Sequence, residues 1–346
     1  MDLEVTKDML YPEGFVMQTD SVSNNKPFDL QGCVKKYSLN KECEEKLRSF
    51  IIDESQQEAI VQYKQQSPEW KKARENHVGM STVGQSINHH EYGQTKYQLI
   101  KQMLYPDTFQ GNWATEYGNK HEDDACDCYL RYKKKETFDK TNGNQYLTNL
   151  YQVSHQGVWI PIQYPWVCIS VDGLVYDPCN QQTNTRCRGG VEIKCPASKG
   201  LYSYIPAQYY DQIQGTMFFL GYEWWDFVVW TPFFTQIRRF AYNSLYFETH
   251  VLPKLESFYM TEFLPRLILK EKGLLSNGQI DPIEPIPTPL SSFLPDDTTL
   301  TKKPKKIKPR LVPYSLFSTI KQKPRQRKKN TIVDLLHPPC LQNNNS

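Results

Sequence analysis

The segment Gly189–Gly200, with the sequence GGVEIKCPASKG, decides how the rest of the chain is interpreted. Val191 and Ile193 alternate with Glu192 and Lys194, and this alternation predicts a strand. Successive strand side chains point to opposite faces, so the acid and the amine share one face while the two β-branched residues share the other. Taken alone, the pattern fits two hypotheses equally well. One is a half-buried strand with a solvated ion pair, and the other is a strand that presents this charged pair to a functional site.

Charge is unevenly distributed along the chain of 346 residues, whose formal net charge is +3. Residues 298–346 contain twelve Lys and Arg but a single acid, Asp334, which leaves a net charge of −8 for the preceding residues. The basic tail therefore predicts attraction to DNA phosphates more strongly than the mildly acidic body does. A nuclear-import signal in KKPKKIKPR, or a solvated tail without function, are the alternatives.

Composition and motif spacing argue against several protein classes. The nine cysteines form no CxxC pair, which disfavours a disulfide framework or a cysteine-rich zinc site. The N-terminal MDLEVTKDML lacks the basic start and apolar run of a signal peptide. No window approaches the roughly 20 apolar residues of a membrane span. We expect a soluble, intracellular protein with no membrane partner.

Periodicity divides the chain into helices, a β meander, a helix, two strands and a closing helix, which predicts one α/β domain with a mixed central sheet over about 41–272. The predicted helices lie at 41–66, from Ser67, from Ser81, and at 95–104, 115–135, 205–222 and 246–272. The predicted strands lie at 145–155, 165–177, 189–196, 224–232 and 235–243. Beyond Gly273 the sequence is first proline-rich and then basic, which predicts an extended or flexible tail.

Asp172 completes a pattern with Glu192 and Lys194 that is typical of a chemical site. It lies twenty residues upstream, where the sequence Ser170-Val171-Asp172-Gly173 is predicted to end one strand and turn into the next. An aspartate followed by Glu-x-Lys on a strand is the signature of a metal-dependent nuclease. Mg²⁺ prefers oxygen ligands, and a bound Mg²⁺ lowers the pKa of water and offsets charge on a phosphate undergoing attack. The carbonyl of Ile193 or Cys195 could add a ligand. By itself this pattern is weak, because many sheets contain it by chance.

Five motifs that follow one another along the chain strengthen the interpretation of this pattern as a nuclease signature. They are WKKARENHVGMSTVGQS, GNKHEDDACDCYLRY, ISVDGL, VEIKCP and AQYYDQIQGTMFFLG. Together they resemble the lambda-exonuclease/YqaJ-type viral recombinase branch of the PD-(D/E)xK nucleases, most closely the lambda-like exonucleases of large DNA viruses. The resemblance covers about residues 70–242. It implies a PD-(D/E)xK nuclease-like α/β fold whose mixed central sheet is flanked by helices. The division is then an N-terminal extension (1–65, partly helical), a nuclease domain (66–272) and a basic Pro-rich tail (273–346).

The resemblance also implies an active site. The family's catalytic positions fall on Glu122, Asp172, Glu192, Lys194 and Gln212 in this sequence. Of these, Asp172, Glu192 and Glu122, with the backbone carbonyl of Ile193, are the implied metal ligands, for Mg²⁺ or Mn²⁺. Asp123 and Asp124 fit a solvated helix face. Gln214 cannot share the face of Gln212, because helix positions two apart point in different directions.

The same resemblance implies a site for the 5′-phosphate of the degraded strand, made by Arg74, Ser81 and Ser170. The planar guanidinium suits phosphate oxygens. An ordinary surface ion pair of Arg74 with Glu69 or Glu75 is the alternative. Two positions depart from the family pattern. Asn76 replaces the usual glycine, although asparagine tolerates left-handed backbone angles. Val171 replaces the proline of the PD motif, where we expect it to fill a structural position.

The implied function is a Mg²⁺-dependent 5′→3′ exonuclease that acts on double-stranded DNA ends in viral recombination, replication or repair. A single-strand annealing protein and a ring-shaped homo-oligomer are the implied partners. The host cytoplasm at sites of viral replication is the implied location, with the nucleus as an alternative because of the basic tail. Two other functions stay open. One is an endonuclease or single-strand nuclease on this fold, and the other is a DNA-end-binding or host-interaction protein with a vestigial site.

The remaining aromatic residues and histidines have structural interpretations. Trp224, Trp225 and Trp230 are expected to pack the core, with base stacking as the alternative. The seven histidines make no metal-ligand pattern, so we expect His121 at the surface or beside the site.

Overall fold

The protein is described here by a computed structural model that covers residues 27–89, 95–106, 112–183, 187–197, 202, 204–275 and 318–321. Its α-helices are α1 (Leu30–Tyr37), α2 (Lys41–Ser49), α3 (Glu54–Val61), α4 (Pro68–Arg74), α5 (Val83–Ser86), α6 (Lys96–Leu104), α7 (Trp113–Lys140), α8 (Gln145–Leu150), α9 (Ala207–Leu220), α10 (Ser244–Tyr246), α11 (Leu252–Ser257) and α12 (Leu264–Glu271). Its strands are β1 (Val78–Gly79), β2 (Gln152–Ser154), β3 (Val167–Cys168), β4 (Gly173–Tyr176), β5 (Arg188–Lys194), β6 (Trp224–Trp230), β7 (Phe234–Ala241) and β8 (Ser318–Lys321).

A six-stranded mixed sheet with the order β2-β4-β5-β6-β7-β8 forms the centre of the fold. Its neighbouring strands are antiparallel except for β5 and β6, which run parallel with Glu192 opposite Phe227 and Lys194 opposite Val229. Parallel neighbours need a crossover connection, and α9 lies in it. The predicted α/β class with a mixed central sheet is therefore confirmed.

The two faces of the sheet pack against different helices. On the face of Glu192, Trp225 and Phe227 join Ile213 and Met217 of α9 in the larger hydrophobic core. On the opposite face, a second core contains Val191, Ile193, Trp224 and Trp230 of the sheet with Ala125 and Tyr129 of α7. The expectation that the three tryptophans are core residues is confirmed, since none of them exceeds 6% exposure. The strand ends that carry Glu192 and Lys194 are thus held between two helices.

A small second sheet joins two distant segments. Strands β1 and β3 run parallel, with Val78 opposite Val167 and Gly79 opposite Cys168. A short 3₁₀ turn, Met80–Thr82, follows β1, and the chain reaches Ser170 two residues after β3. This pairing places the segment around Arg74 and Ser81 beside Ser170.

The N-terminal helices share the main core. Leu30, Cys33, Cys43 and Leu47 are buried with the residues of α9 and α12, and Lys46 forms a 2.5 Å ion pair with Glu271 of α12. The described part of residues 1–65 is helical, as predicted, and the boundary at residue 65 stays a prediction.

Three sequence-based predictions are corrected by the structure, two of them because of local capping. The continuous helix predicted for 41–66 is wrong: it breaks after Ser49, because Asp53 and Gln56 form a capping box that starts α3. The strand predicted for 145–155 is wrong over Gln145–Leu150, where Asn144 accepts a hydrogen bond from the Leu147 amide and starts a helix. Only Gln152–Ser154 of that segment is a strand.

The third correction concerns the helix start predicted at Ser81. The 3₁₀ turn begins one residue earlier, at Met80, and α5 begins at Val83. The start at Ser67 is confirmed, as is a start at Thr95, which caps α6.

The closing helix is continuous over Ser244–Glu271 but contains two π-helical segments, Phe247–Val251 and Phe258–Phe263. Each of them directly precedes a short α-helix with proline in its first turn, Pro253 or Pro265. Proline has no N–H to donate, so the backbone ahead of it widens to π geometry.

Of the predicted tail, Ser318–Lys321 forms β8, which pairs antiparallel with β7. Residues 276–317 and 322–346 lie outside the described residues, as do residues 1–26. The eight described cysteines are free thiols. Among the described helices, none combines the length and apolar character needed to cross a membrane.

Asn76 occupies the left-handed region with φ of 64°, as its replacement of the family glycine predicted, and its carbonyl accepts a 2.7 Å hydrogen bond from the Tyr259 hydroxyl. A residue without the tolerance of asparagine or glycine costs about 1–2 kcal/mol there. We therefore expect Asn76→Val to lower the free energy of unfolding by about that amount. Asn76→Gly should change it little. Urea unfolding of both variants is the measurement, and equal losses for valine and glycine would contradict the argument.

Candidate active site

Asp172 is tied to the strand that carries the Glu-x-Lys pair. It lies immediately before β4, and its Oδ2 accepts a 2.6 Å hydrogen bond from the backbone N–H of Ile193. Gly173, the first residue of β4, pairs with Val191 of β5. The predicted juxtaposition of Asp172 with β5 is therefore present, although β3 ends at Cys168, earlier than the sequence predicted.

Glu192 and Lys194 form an ion pair on one face of β5. The Glu192 side chain is almost entirely buried, and the Lys194 ammonium lies 5.0 Å from the centre of the Tyr209 ring of α9. Burial alone lowers the pKa of Lys194, but the Glu192 and Asp172 carboxylates outweigh it and raise that pKa above its ordinary value. The Lys194 amine is therefore protonated at neutral pH. It can donate hydrogen bonds, but it is not suited to accept a proton as a base.

Glu122 approaches the same strand end from α7, where it is half-buried. Burial and then the charge of Glu192 raise the pKa of the Glu122 carboxyl. Burial and then Glu192 also raise the pKa of Asp172 well above its ordinary value, against the opposing effect of Lys194. We call Glu122, Asp172 and Glu192 the acidic cluster, since the three carboxylates destabilise one another's charge. Their excess negative charge is what a bound divalent cation would relieve.

The oxygen-only donor set of the acidic cluster fits Mg²⁺ or Mn²⁺. In the described part of the chain, however, no three His, Cys, Asp or Glu side chains are already arranged to hold a metal ion. Asp172 is engaged by the Ile193 amide, and Glu192 is engaged by Lys194. Each of these bonds uses one carboxylate oxygen, so the second oxygen of Asp172 and of Glu192 could ligate a cation. The carbonyl of Ile193 stays a predicted ligand.

The residues next to Glu122 on α7 lie outside the acidic cluster. Asp123 is exposed, as expected for a solvated helix face, while a carboxylate oxygen of Asp124 lies 3.3 Å from Nδ1 of His121. His121 is thus beside the site and not in the acidic cluster.

Gln212 and Gln214 have different surroundings, as their spacing predicted. The Gln214 amide donates to the Ala241 carbonyl at 3.0 Å and accepts from the Asn243 N–H at 2.7 Å, so it joins α9 to the end of β7. Gln212 is 5% exposed and lies one helical turn after Tyr209, the residue beside Lys194. Its catalytic role stays a prediction.

Gln208 is a residue that sequence reasoning missed. It precedes Gln212 by one helical turn and is 4% exposed, and both polar atoms of its side chain lack a partner among the described residues. The signal in the sequence was the Gln-x-x-x-Gln spacing on one helix face.

Arg74 and Ser170 form the second part of the site. Nη1 of Arg74 donates to Oγ of Ser170 at 2.7 Å, and the guanidinium lies 4.3 Å from the centre of the Trp70 ring. A Cβ atom placed on Gly79 would lie 3.2 Å from Nη2 of Arg74 and 3.8 Å from Oγ of Ser81, so these two predicted phosphate contacts lie on either side of Gly79. We call Arg74, Ser81 and Ser170 the Arg74 pocket. Among the described residues, Arg74 makes no ion pair with Glu69 or Glu75, the alternative interpretation.

One short segment connects the Arg74 pocket to the acidic cluster. Ser170 meets Arg74 and Asp172 meets Ile193, while the intervening Val171 is buried and its carbonyl accepts a 2.9 Å hydrogen bond from Gln65. Two residues of extended chain span at most ~7 Å. Val171 thus fills a structural position, as expected. The segment therefore holds the Arg74 pocket and the acidic cluster close to each other.

Replacing Asp172 with asparagine should stabilise the fold. The raised pKa means that the ionised Asp172 carboxyl is unfavourable in the folded chain, a cost that is absent below the ordinary aspartate pKa of ~3.9 and grows as the pH rises. We expect Asp172→Asn to have a larger free energy of unfolding than the wild type at neutral pH, with the difference shrinking toward pH ~4. Urea unfolding across this range is the measurement. Asp123→Asn, on the exposed face of α7, is the control and should change little. A destabilised Asp172→Asn at neutral pH would contradict the described electrostatics.

Several solved structures of exonucleases are similar to this chain. Among solved structures, an alkaline exonuclease (LHK-Exo) from Laribacter hongkongensis is 20% identical, with 60% of this chain and 100% of that chain covered and a TM-score of 0.42. The complex of LHK-Exo with dAMP is 19% identical, with the same coverage and the same TM-score. A phage-related exonuclease from Haemophilus somnus 129PT is 13% identical, with 56% and 96% covered and a TM-score of 0.36.

None of the curated proteins compared with the chain is significantly similar to it in sequence. A protein-family model does match, over residues 69–223, a range that contains Arg74, Glu122, Asp172, Glu192 and Gln212. The resemblance predicted from the sequence is therefore confirmed over residues 69–223, which match the YqaJ-like viral recombinase domain.

Proposed function

We propose that the chain is a Mg²⁺-dependent exonuclease that degrades one strand of duplex DNA in the 5′→3′ direction from 5′-phosphorylated ends, with Mn²⁺ as a substitute metal. The coarser assignment to the nucleases follows from the recombinase-domain match together with the Glu-x-Lys pair and its aspartate. The observation that carries the finer proposal is the position of Ser170 and Asp172 on either side of buried Val171. Ser170 belongs to the Arg74 pocket, which we propose binds the phosphate, and Asp172 belongs to the acidic cluster.

The metal would be held by Asp172, Glu192 and Glu122, with the carbonyl of Ile193 as a further ligand. When bound, it would lower the pKa of a water molecule and offset the charge of the attacked phosphodiester. Glu122 and Asp172 are suited to this role because burial, and then the charge of Glu192, disfavours their ionised forms in the absence of a cation.

Lys194 would act as a hydrogen-bond donor in this reaction. Its raised pKa keeps the amine protonated, so it is suited to orienting water or to neutralising a phosphate oxygen and not to removing a proton. Its contacts with the Tyr209 ring and with Glu192 hold the ammonium at the strand end. Gln212, one turn further along α9, would hold the lysine or the water.

The Arg74 pocket supports the choice of the 5′ end. Its guanidinium is oriented by the Trp70 ring and shares the Ser170 hydroxyl, so its remaining N–H groups can meet a terminal phosphate. Because the linking segment spans no more than ~7 Å, a phosphate in the pocket would place the next phosphodiester of that strand at the acidic cluster. Terminal recognition of this kind favours cleavage from an end over cleavage within a strand.

We further propose that the chain serves viral DNA recombination, replication or repair inside the host cell, with double-stranded DNA ends as its substrate. A ring-shaped homo-oligomer and a single-strand annealing partner are proposals that rest on the resemblance alone. Attraction between the basic tail and DNA rests on its excess of Lys and Arg.

Removing Asp172 of the acidic cluster, or Lys194 beside it, should abolish cleavage without abolishing DNA binding. We expect Asp172→Ala and Lys194→Ala to lose the digestion of end-labelled duplex by at least about 10²-fold, since each removes a group that acts on the reacting phosphodiester. Asp123→Ala is the matched control and should digest like the wild type. Digestion is followed for labels at each 5′ and 3′ end, with Mg²⁺ or EDTA, on linear and covalently closed duplex.

Several outcomes would count against the proposal. Asp172→Ala as active as the wild type would remove the site assignment. Activity in EDTA would remove the metal. Equal cleavage of closed circles would favour an endonuclease, and an inactive wild type that binds ends would favour an end-binding protein.

Arg74 should decide the preference for phosphorylated ends. We expect Arg74→Ala to reduce digestion of 5′-phosphorylated duplex by about tenfold or more, while digestion of 5′-hydroxyl duplex changes much less. Lys72→Ala removes an exposed cation from the same helix, away from Ser170, and controls for a general loss of positive charge. An unchanged ratio between the two substrates in Arg74→Ala would overturn the assigned role of the pocket.

A further inference from the structure

Four aromatic side chains form a continuous series of ring contacts that the proposed mechanism does not use. Trp113, Tyr117 and His121 recur every four residues along α7, and neighbouring ring centres are 6.5 Å and 4.3 Å apart. The His121 ring is in turn stacked on Trp230, at the end of β6, with 5.3 Å between ring centres and 23° between ring planes. We call Trp113, Tyr117, His121 and Trp230 the aromatic ladder.

Exposure increases steadily along the aromatic ladder. Trp230 is 6% exposed within the core of the α7 face, the His121 side chain is 22% exposed, and Trp113 is 62% exposed. Core packing therefore accounts for the inner end, but it does not account for a tryptophan that is left mostly in water at the outer end. The inner rings hold the outer ones in a fixed direction, which is the requirement for a rigid stacking surface.

The inner end of the aromatic ladder lies beside the Glu-x-Lys strand. The thiol of Cys195, the residue after Lys194, contacts the carbonyl of His121 at 3.5 Å. A Cβ atom placed on Gly118 would lie 4.0 Å from the Cys195 carbonyl. Glu122 of the acidic cluster follows His121 directly. The ladder is thus a surface that begins at the candidate catalytic residues and extends outward along α7.

We propose that the aromatic ladder is a stacking platform for unpaired bases of the strand whose phosphodiester lies at the acidic cluster; this inference rests on the proposed nuclease function. Aromatic side chains next to a phosphodiester-cleaving group can meet base faces, and every base has such a face, so the contact tolerates any sequence. In a duplex the bases are stacked on each other, so only single-stranded nucleotides can use the platform. Lys120, exposed on the same helix, is placed to meet their phosphates.

The test measures binding of labelled oligo(dT) and of blunt duplex by fluorescence anisotropy in EDTA, where cleavage does not interfere. We expect Trp113→Ala and Tyr117→Ala to bind oligo(dT) at least about fivefold more weakly than the wild type, with duplex affinity nearly unchanged. Trp113→Tyr, which keeps an aromatic ring, should recover most of the affinity. Phe233→Ala removes an exposed aromatic ring of 66% exposure at the β6–β7 turn and should leave both affinities unchanged.

Three results would overturn the platform: no oligo(dT) binding by the wild type, equal oligo(dT) affinity in Trp113→Ala, or an equal loss in Phe233→Ala. A change in native molecular mass for Trp113→Ala without a change in oligo(dT) affinity would also overturn it, since the ladder would then be a contact between copies of the chain. Cleavage of duplex is measured in a separate assay from oligo(dT) binding. Trp113-dependent oligo(dT) binding by a chain that cuts no duplex would overturn the proposed function and leave the platform standing.

Discussion

The hydrogen bond from the Ile193 backbone N–H to the Asp172 carboxylate is the interaction on which the rest of the site depends. It joins a loop to the middle of the sheet across 21 positions of sequence, and it places Asp172 between the two residues of the Glu-x-Lys pair. The same loop carries Ser170 to Arg74. One short segment therefore connects the acidic cluster to the Arg74 pocket, and β5, the strand that this segment meets, lies between two hydrophobic cores.

This arrangement is electrostatically unfavourable without a cation. Three carboxylates lie near one ammonium, and burial, followed by the charge of Glu192, raises the pKa values of Asp172 and Glu122. Elsewhere in the fold the charges are matched: Arg239 binds both Asp226 and Asp177 on the opposite face of the sheet. The charges around Arg239 are balanced, whereas those of the acidic cluster are not. This imbalance is the physical reason to assign the chemistry to the acidic cluster.

Much of this fold and site could be predicted where the determining signal is local. The alternation around Glu192, the Ser67-Pro68 helix start and the amphipathic order of elements all depend on neighbouring residues, and Asn76 takes the left-handed angle expected of it. Prediction failed where a cap competes with periodicity, as at Asp53 and Asn144. It also failed where distant segments meet. The spacing of Trp113, Tyr117 and His121 was visible in the sequence, but their contact with Trp230 and their place beside β5 depend on tertiary packing.

The most direct measurement of the central claim is the position of a bound divalent ion. Crystals of the chain soaked in Mn²⁺ would give an anomalous signal that locates the metal independently of the protein atoms. An anomalous peak is expected within coordination distance, ~2.0–2.6 Å, of carboxylate oxygens of both Asp172 and Glu192. A peak that touches neither carboxylate, or no bound metal at saturating Mn²⁺, would contradict the proposed site.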